Sequence, residues 1–337
     1  MRYSKTMTYP EILEAAWQEH LAPRTPDAPT VISTFAGGGG SSLGYSMAGY
    51  RELLAVEWDN NAVETFKLNF PDVPIYHGDI AKLTVEECMK LAGLSKSGEL
   101  DLLDGSPPCQ GFSTAGKRIL DDPRNQLFRE FIRLLRGLKP KVFVMENVPG
   151  LVKGKMKLIF AEIMRELKAS GYQVRCKKLN AMYFYVPQSR ERLIFIGVRN
   201  DLKIEGGYPK VLSKPIAVKD AWKGINLKQI DLEYAKKIIS HRPSISKWLK
   251  ITPPGQQLSK YETRGYFFNW ARLHFNKVAR SIPKEDTNIC HLTEMKAICY
   301  SEAARSASFP DQFEFPCSCH QNRLCIGNSV PPSLCDQ

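Results

Sequence analysis

Between residues 31 and 199, short apolar runs alternate with stretches of helical periodicity, and this alternation restricts the fold more than any other feature of the chain. The runs fall at 31–35, 53–58, 75–80, 100–104, 142–145 and 193–198; His77 and Gly78 interrupt the third and weaken it. Helical spacing fills the gaps at 41–48, 60–69, 84–93, 123–138 and 156–169. Strands alternating with helices predict an α/β fold, a doubly wound, mostly parallel sheet covered on both faces. In such sheets ligands bind beyond the carboxyl ends of the strands. Chemistry is therefore to be sought where the apolar runs stop.

The flanks differ in kind. Residues 8–21 predict an amphipathic helix, with Thr8 and Glu11 as a capping-box pair and Ile12, Leu13, Ala16, Trp17 and Leu21 as its apolar stripe. Pro23, Pro26 and Pro29 then stiffen a linker. The stripe needs burial, so this helix is expected to pack on the α/β domain. Beyond Arg199 the alternation fades into a smaller, irregular lobe over about 200–290, which contains Pro253-Pro254-Gly255. The chain's formal net charge is +12, and residues 200–280 hold 16 Lys/Arg against 6 Asp/Glu. Most of the excess is thus concentrated in one stretch. A lysine-rich solvated face would account for it. The interleaved Trp222, Tyr234, Trp248, Tyr261, Tyr266, Phe267, Phe268 and Trp270 favour a nucleic-acid face instead. No apolar run approaches the ~20 residues that span a bilayer, and the N-terminus lacks the order of a secretory signal, so a cytoplasmic location is expected. Nine scattered cysteines, an odd number, fit reduced thiols.

Five strand ends carry candidate chemistry. After residues 100–104, Gly105-Ser106-Pro107-Pro108 stiffens the chain ahead of Cys109, and a glycine-rich basic loop follows. A thiol presented this way suits a nucleophile better than a merely packed cysteine. After the first strand, Phe35-Ala36-Gly37-Gly38-Gly39-Gly40 lets backbone approach a ligand at a helix start. The dinucleotide spacing G-x-G-x-x-G fails, because Ser42 stands where its third glycine would be. Glu57 could accept ribose hydroxyls, Trp58 could face an adenine, and Asp79 could accept from an exocyclic amine. One nucleoside, a single adenosyl group, fits better than a dinucleotide. Glu146 ends an apolar run, where desolvation would raise its pKa and suit it to donate a proton; a turn or capping acid is the plainer alternative. Arg190 and Arg192, two apart on an extended segment, could grip a carbonyl oxygen and a phosphate or simply carry surface charge.

In this order these residues resemble the DNA (cytosine-5) methyltransferases. The matching motifs are Phe-Ala-Gly-x-Gly-Gly at 35–40, Glu57-Trp58, Gly78-Asp79-Ile80, Gly-Ser-Pro-Pro-Cys-Gln-Gly-Phe-Ser at 105–113, Glu146-Asn147-Val148, Gln-x-Arg-x-Arg at 188–192, Glu302 to Arg305 with Phe309-Pro310-Asp311, and Gly327-Asn328-Ser329-Val330-Pro331-Pro332. The resemblance runs over 31–334 almost throughout. It implies a Rossmann-like methyltransferase domain over 31–199, a target-recognition lobe over 200–290, and a return segment, 291–337, that completes the catalytic domain; 1–30 is the helix and linker. S-adenosylmethionine is the implied methyl donor, and the substrate is a cytosine flipped out of double-stranded DNA, because a stacked base is out of reach. Cys109 would add to the 6-carbon of the ring, Glu146 would act at ring nitrogen 3, Arg192 would hold the 2-oxo group and Arg190 a neighbouring phosphate. The implied cofactor contacts are Phe35, Ala36, Gly37, Gly40, Glu57, Trp58, Asp79, Ile80, Pro107, Leu127, Asn328 and Ser329. Residues 110–125, with Gly111, Gly116, Lys117 and Arg118, resemble the family's mobile loop.

Three departures from the family stand out. Ser33 occupies a position where the family commonly has an acid. The usual Arg-x-Leu-Thr is Lys296-Ala297-Ile298-Cys299, which predicts a looser base for the recognition lobe. The family's last helix has no counterpart before Gln337, and helix 8–21 is expected to take its place. Cys317, Cys319, His320 and Cys325 lack a usual zinc spacing, so no metal is expected. A monomer in the cytoplasm, associated with the nucleoid and partnered by a cognate restriction endonuclease where it serves a restriction system, completes the reading. The competing functions are a tRNA cytosine-5 methyltransferase and a non-catalytic DNA-binding repressor. A binder would need none of Cys109, Glu146 and Arg192.

Overall fold

The computed structural model describes residues 6–108, 127–262, 270–283 and 289–336. The chain begins with α1 (Tyr9–Leu21) and then alternates: β1 (Thr30–Thr34), α2 (Gly40–Met47), β2 (Arg51–Glu57), α3 (Asn60–Asn69), β3 (Ile75–His77), α4 (Val85–Leu91), β4 (Leu102–Gly105), α5 (Leu127–Leu138), β5 (Val142–Asn147) and α6 (Lys157–Ala169). A hairpin-like return follows, with β6 (Tyr172–Asn180), the two-residue β7 (Gln188–Ser189) and β8 (Glu191–Arg199). One seven-stranded sheet results, in the order β3-β2-β1-β4-β5-β8-β6. β8 runs antiparallel to β5 and β6, while β1 to β5 are mutually parallel. The doubly wound α/β fold is therefore present.

The elements follow from their side chains. Val31, Ile32, Leu54, Ala55, Val56, Leu102 and Leu103 are buried, as central parallel strands with both faces covered require. On α5, Phe128, Phe131, Ile132, Leu135 and Leu138 recur at helical spacing and all enter the main core, with Phe143 of β5 edge-on to Phe131. Two differences from the sequence reading have plain causes. The third run stops at His77, and Asp79 instead caps a 3-10 turn by accepting the Ala81 amide at 3.0 Å. β6 went unseen because it is an edge strand whose polar residues, such as Lys177 and Lys178, stay in solvent. Charges there also discourage edge-to-edge pairing.

After β8 come α7 (Val218–Ala221), α8 (Gln229–Ser240) and α9 (Pro243–Ile251), then the two-residue strands β9 (Ala271–Arg272), β10 (Ala279–Arg280) and β11 (Ile289–Cys290), and finally α10 (Tyr300–Ser306), α11 (Cys319–Asn328) and α12 (Pro332–Cys335). Ile238, Ile239, Ile245, Leu249, Leu258 and Trp270 form a small core of their own. This corrects the expectation for the aromatic residues. Trp270 is buried, Tyr234 and Trp248 pack against that core, and Trp222 stacks on His291 while donating to Ser306 Oγ at 2.9 Å. These rings pack inside the lobe or against the return segment instead of facing outward; Tyr266, Phe267 and Phe268 lie outside the described residues.

The base of the lobe is not loosened by Lys296 and Cys299. The Lys296 ammonium is fully buried and donates to both Glu302 carboxylate oxygens at 2.9 Å, and Glu302 also accepts the Cys299 amide at 2.7 Å. Asp231 of α8 caps α10, taking the amides of Tyr300 at 2.8 Å and Ser301 at 3.0 Å. Carboxylates at a helix start meet both its unpaired amides and its positive end.

α1 packs as its stripe demands. Tyr9, Ile12, Leu13 and Ala16 are buried against α2 and α7, and the Tyr9 hydroxyl donates to Arg305 O at 3.1 Å. Leu21 leaves the stripe, being 57% exposed. Arg24 fastens the end of α1, donating to Glu19 O at 2.9 Å and to Tyr50 O at 3.2 Å. Leu13→Ala should cost about 2–5 kcal/mol through the cavity it leaves, whereas Leu21→Ala should be nearly neutral. Equal urea midpoints for the two variants would show that α1 is not seated on the domain.

Candidate active site

The strand order turns at β1, whose neighbours are β2 on one side and β4 on the other. Connections leave β1 and β4 in opposite directions, which opens a crevice at their carboxyl ends. β1 runs into Phe35, a non-glycine residue at φ 55°, and then into Gly37 at φ 57° and Gly39 at φ 95°. This left-handed turn is open to glycine and strained for most other residues. It delivers the chain to the amide end of α2. A side chain at Gly37 would meet nothing, whereas one at Gly40 would overlap Val330 O and Ser329 Cβ. One glycine therefore faces open space, and the other lets the far end of the chain close the rim. Ser329 is buried there and Asn328 is exposed beside it.

Glu57 ends β2 with its carboxylate almost buried. It accepts the Gly37 amide at 2.7 Å on one oxygen, and the amides of Trp58 at 2.8 Å and Asp59 at 3.0 Å on the other. The carboxylate thus fixes the glycine turn as well as lining the crevice, a duty that strand-end position alone did not reveal. Trp58 is 76% exposed at the mouth. Asp79 is exposed, with Ile80 buried behind it; Ala36 and Pro107 are buried, and Leu127 opens α5. An open glycine turn, a helix amide end, two acids at adjacent strand ends and an accessible indole together suit a nucleoside.

On the other side of β4, Glu146 and Arg192 pair across the β5–β8 ladder, Oε1 to Nε 2.5 Å, with side chains 13% and 15% exposed. Glu146 is therefore not an acid in apolar surroundings, as its place in the sequence suggested; a cation holds it. Arg192 also donates to Glu191 O at 2.8 Å. Arg190 departs further from expectation. It is 4% exposed, and its guanidinium donates to the carbonyls of Ile282, Gly327 and Ser329, so it does not present itself to a phosphate. Cys109 and residues 110–125, including Gly111, Gly116, Lys117 and Arg118, lie outside the described residues. The four residues of the cysteine–histidine cluster do not converge. Cys317 Sγ meets Asn61 O at 3.6 Å, and Cys325 Sγ packs under Gly38; among the described residues no group of three or more His, Cys, Asp or Glu could hold a metal.

Two acids behind the crevice escaped the sequence reading because neither marks the end of an observed strand: Glu52 lies near the start of β2, just before its apolar run, and Asp104 lies within β4. Asp104 of β4 is buried and accepts the Tyr45 hydroxyl at 2.9 Å; burial first, and then the charge of Glu146, push its pKa up to about 7. Burial pushes Glu52 up to about 8, partly offset by hydroxyls. Of these, Ser42 is bonded at 3.0 Å, whereas Ser33 Oγ and Glu52 Oε2 reach no hydrogen-bond geometry among the described residues. Ser33 thus stands where an acid would have been a third buried carboxyl. Both folded pKa values lie above the unfolded ones of 3.8 and 4.5, so the folded chain holds the extra protons. The stability they contribute is complete below about pH 4 and is lost as pH rises through 7 to 8. Unfolding free energy should fall between about pH 4 and 8, and Glu52→Gln or Asp104→Asn should flatten that fall. Parallel slopes in urea titrations of wild type and variants would refute the assignment.

The fold and rim define an α/β enzyme of the Rossmann-like methyltransferase type. Residues 29–337 match the family model of the C-5 cytosine-specific DNA methylases, and the chain belongs to that family. It is a DNA (cytosine-5) methyltransferase. It is 33% identical to the Type II methyltransferase M1.HphI of Haemophilus parahaemolyticus, over 90% of this chain and 84% of that one. With M.NgoPII of Neisseria gonorrhoeae it shares 30% identity over 94% and 96%. Among solved structures, a putative DNA modification methyltransferase encoded within a prophage (E. coli) superposes with a TM-score of 0.74 at 27% identity, covering 92% of this chain and 97% of the other. A Spodoptera frugiperda DNMT2 mutant shares the fold, with a TM-score of 0.67 at 19% identity over 92% and 98%.

Proposed function

We propose that the enzyme methylates the 5-carbon of a flipped-out cytosine in a specific double-stranded DNA sequence, with S-adenosylmethionine as donor and Cys109 as covalent nucleophile. The observation that carries this reading is the Glu146–Arg192 pair beside the glycine rim. A carboxylate and a guanidinium held together can address adjacent positions of one pyrimidine edge, while the crevice next to them suits an adenosyl group. When bound, the donor supplies an electrophilic methyl group.

The chain's own residues do the rest. Phe35, Ala36, Gly37 and Gly40 shape the donor's backbone cradle; Glu57, Trp58, Asp79, Ile80, Pro107, Leu127, Asn328 and Ser329 surround it. Arg192 holds the 2-oxo group and orients Glu146, which hydrogen-bonds or protonates ring nitrogen 3. That withdraws electron density and lets the Cys109 thiolate add to the 6-carbon. The 5-carbon becomes nucleophilic and is methylated; loss of its proton expels the thiolate. Flipping is required because a stacked ring cannot be approached from above. Residues 200–290 serve as the target-recognition lobe between the two parts of the catalytic domain, 31–199 and 291–337. Exposed Lys236, Lys237, Lys247 and Lys250 on α8 and α9 supply its phosphate-facing charge. Arg242 contributes less, since its guanidinium lies over Trp270 at 5.8 Å.

The Type II names of the relatives motivate a restriction–modification role, with a cognate endonuclease acting on the same sequence. A monomer working in the cytoplasm alongside the DNA is the simplest form; no described helix is long and apolar enough to cross a membrane.

Bisulfite sequencing of host DNA from cells expressing the chain should show one methylated cytosine context. Unmethylated DNA with labelled tRNA would replace this reading by the RNA one. Cys109→Ser should abolish turnover and leave duplex binding within a few-fold of wild type, because a hydroxyl is a far poorer nucleophile at neutral pH. Neutralising Lys236, Lys237, Lys247 and Lys250 should flatten log affinity against log salt, by about 0.9 for each phosphate whose charge is no longer matched. An unchanged slope would move the DNA face elsewhere.

A further inference from the structure

Arg190 is a buried cation whose described side-chain hydrogen bonds all go to carbonyls. Nη1 donates to Ile282 O at 3.2 Å, and Nη2 donates to Gly327 O and Ser329 O at 3.0 Å each. An arginine cannot shed its proton to escape burial, so these carbonyl dipoles, together with the nearby charge of Glu146, carry the compensation. Two of them lie at the carboxyl end of α11, where the helix dipole favours a cation. Three carbonyls from two chain segments answer a planar fork, a geometry that a lysine point charge matches poorly.

The neighbours of Arg190 show what the cation joins. Gln188 accepts the Ile282 amide at 2.9 Å, so residue 282 is held at both its N–H and its carbonyl. β10, just before it, pairs with β7, Ala279 opposite Gln188. Two residues beyond Arg190, Arg192 grips Glu146. The Arg190 backbone is itself fixed, its amide donating to Asn180 Oδ1 at 3.1 Å. One short segment therefore touches the exit from the lobe, the rim at 327–329 and the Glu146 pair.

We propose that Arg190 is a positioning residue that locks the cofactor rim at Gly327–Ser329, the lobe exit at Ile282 and the Glu146–Arg192 pair into one arrangement, and that it makes no phosphate contact. The inference rests on the methyl-donor reading above. It assigns Arg190 a role toward the donor and the reacting pair, although it touches neither.

The first test uses the wild-type chain and S-adenosylhomocysteine, the demethylated donor, without DNA. Hydrogen exchange should slow at 327–330 on binding and also at 188–192 and 279–282. Protection confined to the rim overturns the coupling. If the wild-type chain binds no S-adenosylhomocysteine, the methyl-donor reading falls and takes this inference with it; binding without coupled protection sinks the inference alone. The second test is Arg190→Lys, which keeps the charge and loses the fork. S-adenosylhomocysteine affinity and kcat should each fall tenfold or more, while duplex affinity and its salt slope stay within twofold. A salt slope lowered by about one, with cofactor affinity intact, would make Arg190 a phosphate contact after all. A lower melting temperature with unchanged kcat and cofactor affinity would reduce it to a packing residue.

Discussion

The pairing of β1 with β4 is the constraint on which the rest depends. It brings Thr34 opposite Gly105, so the glycine turn and the Pro107–Pro108 segment leave the sheet side by side. The pairing is possible only because Gly105 has no side chain; a Cβ there would overlap both Phe131 and Thr34 Oγ1. Closeness at that point sets the width of the crevice. The neighbouring pairs, β1 with β2 and β4 with β5, then place Glu57 on one flank and Glu146 on the other. Two acids far apart in sequence thereby flank one crevice.

Much of this was legible from residue order because the interior strands are apolar on both faces and stop abruptly at glycine, proline or an acid. The strand-end residues followed from topology, since a doubly wound sheet offers only one edge for ligands. What could not be read were the relations among polar side chains. Glu146 and Arg192 are 46 positions apart, and only the antiparallel register of β8 on β5 makes them partners. Arg190 and Arg192 share a direction by spacing, but the segment 327–329 covers one and not the other. Trp222 and Trp270 looked like a binding surface because composition does not say which way a ring turns; Trp270 is buried in the small core of the lobe, and Trp222 is half-buried against His291 and Ser306 of the return segment. Asp104 and Glu52 were overlooked because neither stands at the carboxyl end of an observed strand: Glu52 is near the start of β2 and Asp104 lies within β4.

The buried charges share a logic. Asp231 at the start of α10 and Arg190, between Ile282 and the end of α11, tie the 200–290 segment to the α/β domain, and Lys296 with Glu302 braces the α10 start that Asp231 caps. Burying an unpaired charge is expensive, so each of these groups reports a geometry that must be reached for folding to succeed. Apolar contacts tolerate sliding, whereas a fork on three carbonyls does not. Such links give residues 200–290 a defined seat on the α/β domain in place of a flexible tether.

The meeting of Gly40 with Val330 has a further consequence, for the order of events during synthesis. The contact joins positions nearly 300 residues apart. Closing so large a loop adds only a modest entropic cost at equilibrium, but non-local contacts of this kind form late and slowly. A nascent chain can assemble β1 to β5 and still lack one wall of its crevice until residue 330 has emerged from the ribosome. The crevice is thus left open on one side in partial chains by geometry alone, and translation sets when it closes.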